Sequence, residues 1–181
     1  MQNPSHRFSH PRVLSRGFTA IELMITIALL GILMAIAAPG LSQFLKSNRL
    51  TSQANSLVSD ILYARSESAT RGSRVVICPS TDTTSCSTGA ANWATGWIVF
   101  VDTNSNGTTD TGEAVLKSTL ALDNATLAES TSANKIVFRP YGGLNPVANM
   151  IFKLCPSDNT EGRQVFLAAT GRPSATKISG P

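Results

Sequence analysis

The pattern of apolar and polar positions changes character twice along the chain. From Leu23 to Ala38 there is no charge and Thr26 is the one polar side chain, while Glu22 stands just inside the start of the apolar run. At about 1.5 Å per residue a helix from Phe18 to Ala38 reaches roughly 30 Å, the hydrocarbon thickness of a bilayer. The pattern therefore predicts one membrane span over residues 18–39. Beyond Pro39 and Gly40, apolar residues recur at three- and four-residue steps: Leu41, Phe44 and Leu45, then Leu50, Ala54, Leu57, Val58, Ile61 and Leu62. Ser52, Gln53, Ser56, Ser59 and Asp60 fall largely on the other faces, so residues 40–72 read as an amphipathic helix. A basic last turn and a glycine C-cap at Arg71-Gly72 end it. Pro39-Gly40 is expected to bend or loosen the junction between the two halves.

From Ser73 the texture becomes short β-rich runs separated by Thr, Ser, Asn and Gly. Candidate strands are RVVIC (74–78), GWIVFV (96–101), EAVLKSTLAL (113–122), KIVFR (135–139), MIFKLC (150–155) and QVFLAAT (164–170). The apolar face of the 40–72 helix needs a partner, and an antiparallel sheet of these strands supplies one. The expected architecture is α+β: a long N-terminal helix, half membrane-spanning and half amphipathic, packed on a β-rich domain over 73–181.

Charge orients the span. Upstream of it, MQNPSHRFSHPRVLSRG carries Arg7, Arg12 and Arg16 and no acid, which keeps the N-terminus cytoplasmic and sends everything after Pro39 across the membrane. The chain's net charge of +4 comes mostly from these three arginines, since the rest holds 12 basic against 11 acidic residues. AIAAPG (35–40) can be read as the cleavage site of an ordinary secretory signal, but that reading leaves Glu22 unexplained.

The stretch GFTAIEL, residues 17–23, resembles the N-terminal signature of type IV pilins and type II secretion pseudopilins. The resemblance implies a leader over 1–17, cut after Gly17 on the cytoplasmic side by a prepilin peptidase that also methylates the new N-terminus, Phe18. Pro39 falls where that family has a helix-kinking proline. Physical chemistry gives Glu22 a matching role, since an acid in an apolar span is tolerated beside an opposite charge and cleavage creates an ammonium on Phe18 close to it. In a bundle of such helices the pair would set axial register during assembly. The plainer alternative is a carboxyl kept neutral near the headgroups.

LVSDILYARSESATRGSRVVICPS, WATGWIVFVDTNSNGTTDTGE and TGRPSATK further resemble the GspH/FimT branch, which takes in pseudopilin H and the FimT and FimU minor pilins. The resemblance implies a pilin-like fold and an inner-membrane, single-pass protein with a periplasmic domain that becomes extracellular at the filament tip. It implies a minor pilin that primes or caps a type IV pilus. Pseudopilin H is the alternative within the class, and a DNA receptor at the pilus tip the alternative outside it. Implied partners are other minor and major pilins or pseudopilins, the prepilin peptidase, the inner-membrane assembly platform, the lipid bilayer and, in the receptor reading, DNA.

No enzyme is expected. The only histidines, His6 and His10, lie in the leader, and neither a phosphate-binding glycine loop nor a paired-acid motif occurs. Cys78 and Cys86 enclose the short loop PSTDTTS and are the first candidates for a disulfide, leaving Cys155 buried and free. Pairing of Cys78 with Cys155 is the alternative, and an odd count leaves the choice open. Asp102, Asn104, Asn106, Gly107, Asp110 and Glu113 fit the spacing of a calcium-binding EF-hand loop. Their flanks read as strands and not as helices, so a plain polar turn without a cofactor is the expectation, with calcium the alternative.

Charge is also segregated. Residues 82–129 hold six acids and only Lys117, whereas 135–181 hold Lys135, Arg139, Lys153, Arg163, Arg172 and Lys177 against Asp158 and Glu161. Such a basic face can bind phosphates or an acidic neighbour. FimT-type proteins bind DNA through a Gly-Arg-x-Arg motif, of which this chain keeps Gly171 and Arg172 but has Ser174 in the last position. Lys177 offers a point charge without the forked geometry of arginine, and Arg163 is the third candidate.

Overall fold

The computed structural model describes residues 17–89, 92–131, 133–156 and 161–179. Arg7, Arg12, Arg16, both histidines and Asp158 lie outside them. The chain forms two compact units, Met1–Ser42 and Gln43–Pro181.

The described part of the first unit is the beginning of helix α1, which runs from Ala20 to Arg71. From Ile21 to Ile36 every large apolar side chain is more than half exposed. This stretch belongs to the one helix, among the described residues, that is long and apolar enough to cross a membrane. Pro39 lies inside α1, which runs on through it to Arg71, and the Ser42 hydroxyl donates to the Pro39 carbonyl at 2.9 Å.

In the second unit α1 buries a stripe of Leu50, Ala54, Leu57, Ile61, Ala64 and Ser68, spaced by three and four residues. Two positions depart from the sequence reading. Leu62, expected on the apolar face, is about half exposed, and Asp60, expected on the polar face, is completely buried. Gly72 follows the helix with φ +59°, the left-handed cap that releases the chain into the first strand.

Eight strands follow among the described residues: β1 (Arg74–Pro79), β2 (Trp97–Asp102), β3 (Val115–Thr119), β4 (Ala125–Glu129), β5 (Ile136–Phe138), β6 (Met150–Pro156), β7 (Glu161–Leu167) and β8 (Pro173–Ser179). They form two antiparallel four-stranded sheets, ordered β3-β2-β1-β5 and β4-β6-β7-β8. The expected strand at 113–122 is shorter, and β4 and β8 had no counterpart in the sequence reading. ATLAE and PSATKIS bury little, so they lack the alternating apolar signal by which a strand is recognised.

One core joins all three layers. Leu57 and Ile61 of α1 meet Val75, Ile77, Trp97, Val99, Ile136 and Phe138 of the first sheet, and Phe152, Leu154, Val165 and Leu167 of the second. Trp93 closes this core edge-on to Phe152, with ring centroids 5.1 Å apart. The opposite face of the first sheet holds a second cluster, Val76, Cys78, Ile98, Phe100 and Val137, with Cys86 packed against it. Because both faces of that sheet are covered, β1 and β2 read as continuous apolar runs with no alternation.

Candidate functional site

The N-terminal end of α1 is organised by Thr19 and Glu22. The Thr19 backbone N–H and hydroxyl donate to a Glu22 carboxylate oxygen at 2.9 and 3.0 Å, and the Glu22 N–H returns to the Thr19 hydroxyl at 3.3 Å. This reciprocal pair is a capping box: Thr19 as N-cap and Glu22 three residues on satisfy donors that the first turn leaves free. The signal was present in the sequence as T-x-x-E, but its acid was read only for its charge. Gly17 has open space around it and Phe18 is 90% exposed, so the bond between them is unobstructed by the described residues.

The three basic candidates do not form a free cluster. Arg163 is committed to α1, its guanidinium donating to the Thr51 hydroxyl (3.1 Å), the Ser47 hydroxyl (3.0 Å) and the Gly162 carbonyl (3.1 Å). Lys177 lies in register with Arg163 on β8 and is paired with Glu161 at 2.7 Å. Arg172 is exposed, and among the described residues its guanidinium has no hydrogen-bond or ion-pair partner.

The 102–113 loop joins β2 to β3 and is held by its own polar groups. Asp102 is buried, accepts from the Gly107 N–H at 3.0 Å and lies 3.2 Å from Nε of Arg74. Asn104 and Asn106 both donate to Asp110, and together they hold its carboxyl below the ordinary aspartate range. Glu113 accepts from the N–H and hydroxyl of Thr103 and the N–H of Asp110. The Lys135 ammonium donates to the Gly107 carbonyl at 3.1 Å. One protein cation, Arg74, thus stands beside Asp102, the first of the groups that a calcium ion would use, and a second, Lys135, holds the Gly107 turn.

Cys78 and Cys86 form the disulfide and Cys155 is buried and free. The alternative pairing fails because Cys78 lies on β1 of the first sheet and Cys155 on β6 of the second. Inside the disulfide ring, Asp82 accepts from the hydroxyl and N–H of Ser85, the N–H of Thr84 and the Ser80 hydroxyl. Those donors, Ser85 foremost, hold its carboxyl well below the ordinary range.

One polar centre was not anticipated. The buried Asp60 carboxylate accepts from Trp97 Nε1 and the Thr119 hydroxyl, each at 2.8 Å, and is ion-paired with Lys117. Lys117 also stands over the Tyr63 ring, 5.8 Å from its centroid. This centre ties α1 to β2 and β3. An acid beside Ile61 in a run of helical apolar residues was its one sequence signal.

Residues 53–171, well over half of the chain, match the family model described as type II transport protein GspH. The chain belongs to the GspH family. The matched span of this GspH-family chain holds Asp60, the disulfide and the 102–113 loop, and it ends at Gly171, before Arg172 and β8. The pilin-like protein PilA1 of Thermus thermophilus is 34% identical over 100 residues, 54% of this chain and 55% of the relative, so the match spans about half of that protein. Two crystal forms of the Pseudomonas aeruginosa PAO1 type IV minor pilin FimU share the fold. They have TM-scores of 0.57 and 0.53 at 22% and 23% identity, covering 74% and 70% of this chain and 92% of each FimU chain. The long helix packed on two antiparallel sheets is thus the α+β pilin-like fold. That family is structural and is not known for catalysis.

Proposed function

We propose that this chain is a minor pilin that primes or caps a type IV pilus, held in the inner membrane by the first half of α1 until assembly. The observation that carries the reading is the stretch from Ile21 to Ile36, apolar and exposed on all sides, with a single acid at its first turn. Apolar surface of that extent needs lipid or a bundle of like helices around it. Glu22 then has two successive partners: the Thr19 cap in the uncut chain and, after cleavage behind Gly17, the Phe18 ammonium of its own or a neighbouring subunit. The prepilin peptidase and the assembly platform are partners under this reading, with the second unit periplasmic.

The test is Glu22→Ala in the full chain. Membrane insertion should persist and recovery in sheared filaments, or with partner pilins in pull-downs, should fall; normal recovery removes the register role. Mass spectrometry should find a chain beginning at N-methylated Phe18, and an N-terminus near Gly40 would replace the pilin reading by an ordinary signal peptide. A second reading, a pseudopilin of type II secretion, is favoured by the matched family's description. Deleting the gene separates them: loss of pili supports the first and loss of exoprotein secretion the second.

A further inference from the structure

Four strands stand at sheet edges, β3 and β5 in one sheet and β4 and β8 in the other. Three of these edges are short, covered or irregular. β5 has three residues, and the turn after it folds back alongside, with Arg139 N–H donating to Gly143 and Asn145 N–H to Val137. β4 packs against the 3₁₀ turn Trp93–Thr95, and Leu122 just before it donates to the Ala94 carbonyl. β3 has five residues, and its register slips opposite Val99 and Phe100. β8 differs from all three. It holds seven residues in unbroken register with β7, from Pro173 opposite Leu167 to Ser179 opposite Glu161. Five of the seven are exposed and only Pro173 and Ile178 are half-buried, so the strand adds little to the core. A long, regular edge that no described strand covers is what natural sheets ordinarily avoid, because it is a template for another strand.

The hairpin before β8 fixes which backbone groups face outward. Ala168 N–H donates to the Arg172 carbonyl at 3.0 Å and Gly171 N–H to the Ala168 carbonyl at 2.8 Å. Gly171 has φ +77°, the left-handed position of a three-residue hairpin loop. Antiparallel alternation then joins Ser174, Thr176 and Ile178 to β7 and turns the N–H and C=O of Ala175, Lys177 and Ser179 to the open edge. Pro173, which has no N–H, falls in the outward series, where a paired strand tolerates it. Side chains along the edge are small and uncharged apart from Lys177, which Glu161 neutralises. At the strand's start stands Arg172, exposed and without a partner among the described residues.

We propose that the β8 edge accepts an extended segment of a neighbouring pilin-like subunit, which pairs with Ala175, Lys177 and Ser179 and brings a carboxylate to Arg172. The proposal rests on the reading of the chain as a filament subunit. Three outward residues hold a free peptide weakly, but two chains whose apolar helices share a membrane or a bundle confront each other at high effective concentration, and a short edge then suffices. Protein fits this edge better than nucleic acid. A phosphate backbone is held by several clustered cations, and of those in 135–179 Lys135, Arg139, Arg163 and Lys177 are already engaged, which leaves Arg172 and, on β6 two strands away from β8, Lys153.

The experiment uses the full chain in native membranes and sheared filaments. A photo-crosslinking residue at Thr176 should capture one segment of another pilin subunit, and amide exchange in the 172–179 peptide should slow at least about tenfold on passing from detergent-solubilised chain to filament. Ala175→Pro deletes an outward N–H and should lower recovery in filaments while the melting temperature stays near that of the parent; Thr176→Pro deletes an inward N–H and serves as the control for simple unfolding. If Ala175→Pro does not fold, crosslinking and exchange on the otherwise unaltered chain decide. Unchanged exchange in filaments that contain the chain overturns the edge proposal and leaves the pilin reading standing. Crosslinks to DNA alone also overturn it. Absence of the unaltered chain from filaments overturns the pilin reading and the edge proposal with it.

Discussion

Replacing Asp60 by alanine should destabilise the globular unit by about 3 kcal/mol, at the low end of what breaking a buried ion pair costs. The magnitude follows from what is left behind. Trp97 Nε1 loses its acceptor inside a core where Trp97 is 1% exposed, and an orphaned buried donor costs about 1–3 kcal/mol. The Thr119 hydroxyl loses a charge-assisted bond, worth about 1.5–3 kcal/mol before its partial access to water is counted. Lys117 loses least, because its side chain is 42% exposed and can return to solvent. That escape is the reason for choosing the low end. At about 3 °C per kcal/mol for a unit of this size, the midpoint should drop roughly 10 °C. Asp60→Asn keeps one carbonyl acceptor and loses the charge, so it should cost about half as much. The assay is urea unfolding of residues 43–181, followed by circular dichroism and Trp fluorescence, with the Asp60→Ala, Lys117→Met and double variants forming a thermodynamic cycle. If Asp60→Ala unfolds within about 0.5 kcal/mol of the parent, as a neutral surface change does, the anchoring argument is wrong.

Opening the Cys78–Cys86 ring by Cys78→Ser should cost about 2–3 kcal/mol by loop-closure entropy, while Cys155→Ser should leave the disulfide intact in a thiol count. Because the Asp82 carboxyl is held below its ordinary value of 3.8, its contribution is present at neutral pH and is lost only as pH falls from there toward its folded value; Asp82→Asn should remove that acid-dependent part of the unfolding profile and leave a flatter one. Millimolar calcium should not shift the melting temperature, since Arg74 and Lys135 already attend the Asp102–Glu113 loop. A rise of several degrees, abolished by Asp102→Ala, would show that the ion displaces them. DNA binding by the soluble unit should be weaker than micromolar at physiological salt, with Arg172→Ala lowering the salt slope by about one unit. Tighter binding that Arg172→Ala abolishes would put the receptor reading first.

The sequence alone determined the features whose physics is local or periodic. An uncharged run of membrane length, an acid at its start, a three- and four-residue apolar stripe from Leu50 to Ile61 and a glycine stop at Gly72 each follow from spacing and residue type, and α1 has them all. The strongly apolar strands β1, β2, β5 and β6 were legible for the same reason, β7 only over residues 164–167 because its first half, Glu161–Arg163, is polar or glycine and 168–170 turn into the next hairpin, and the short Cys78–Cys86 loop made that pair the first choice. Tertiary structure decided what depends on partners distant in sequence. Asp60 looked like a surface acid because its three ligands come from residues 97, 117 and 119. Arg163 and Lys177 looked like free cations because Ser47, Thr51 and Glu161 claim them only in the fold. β8 carried no apolar alternation, since an edge strand exposed on both faces is specified by the ladder it joins and not by the side chains it buries, and β4 gives the core only Leu127, with Ala125 packed beside it. The division of eight strands into two sheets was likewise a long-range outcome, set when both sheets closed on the same stripe of α1.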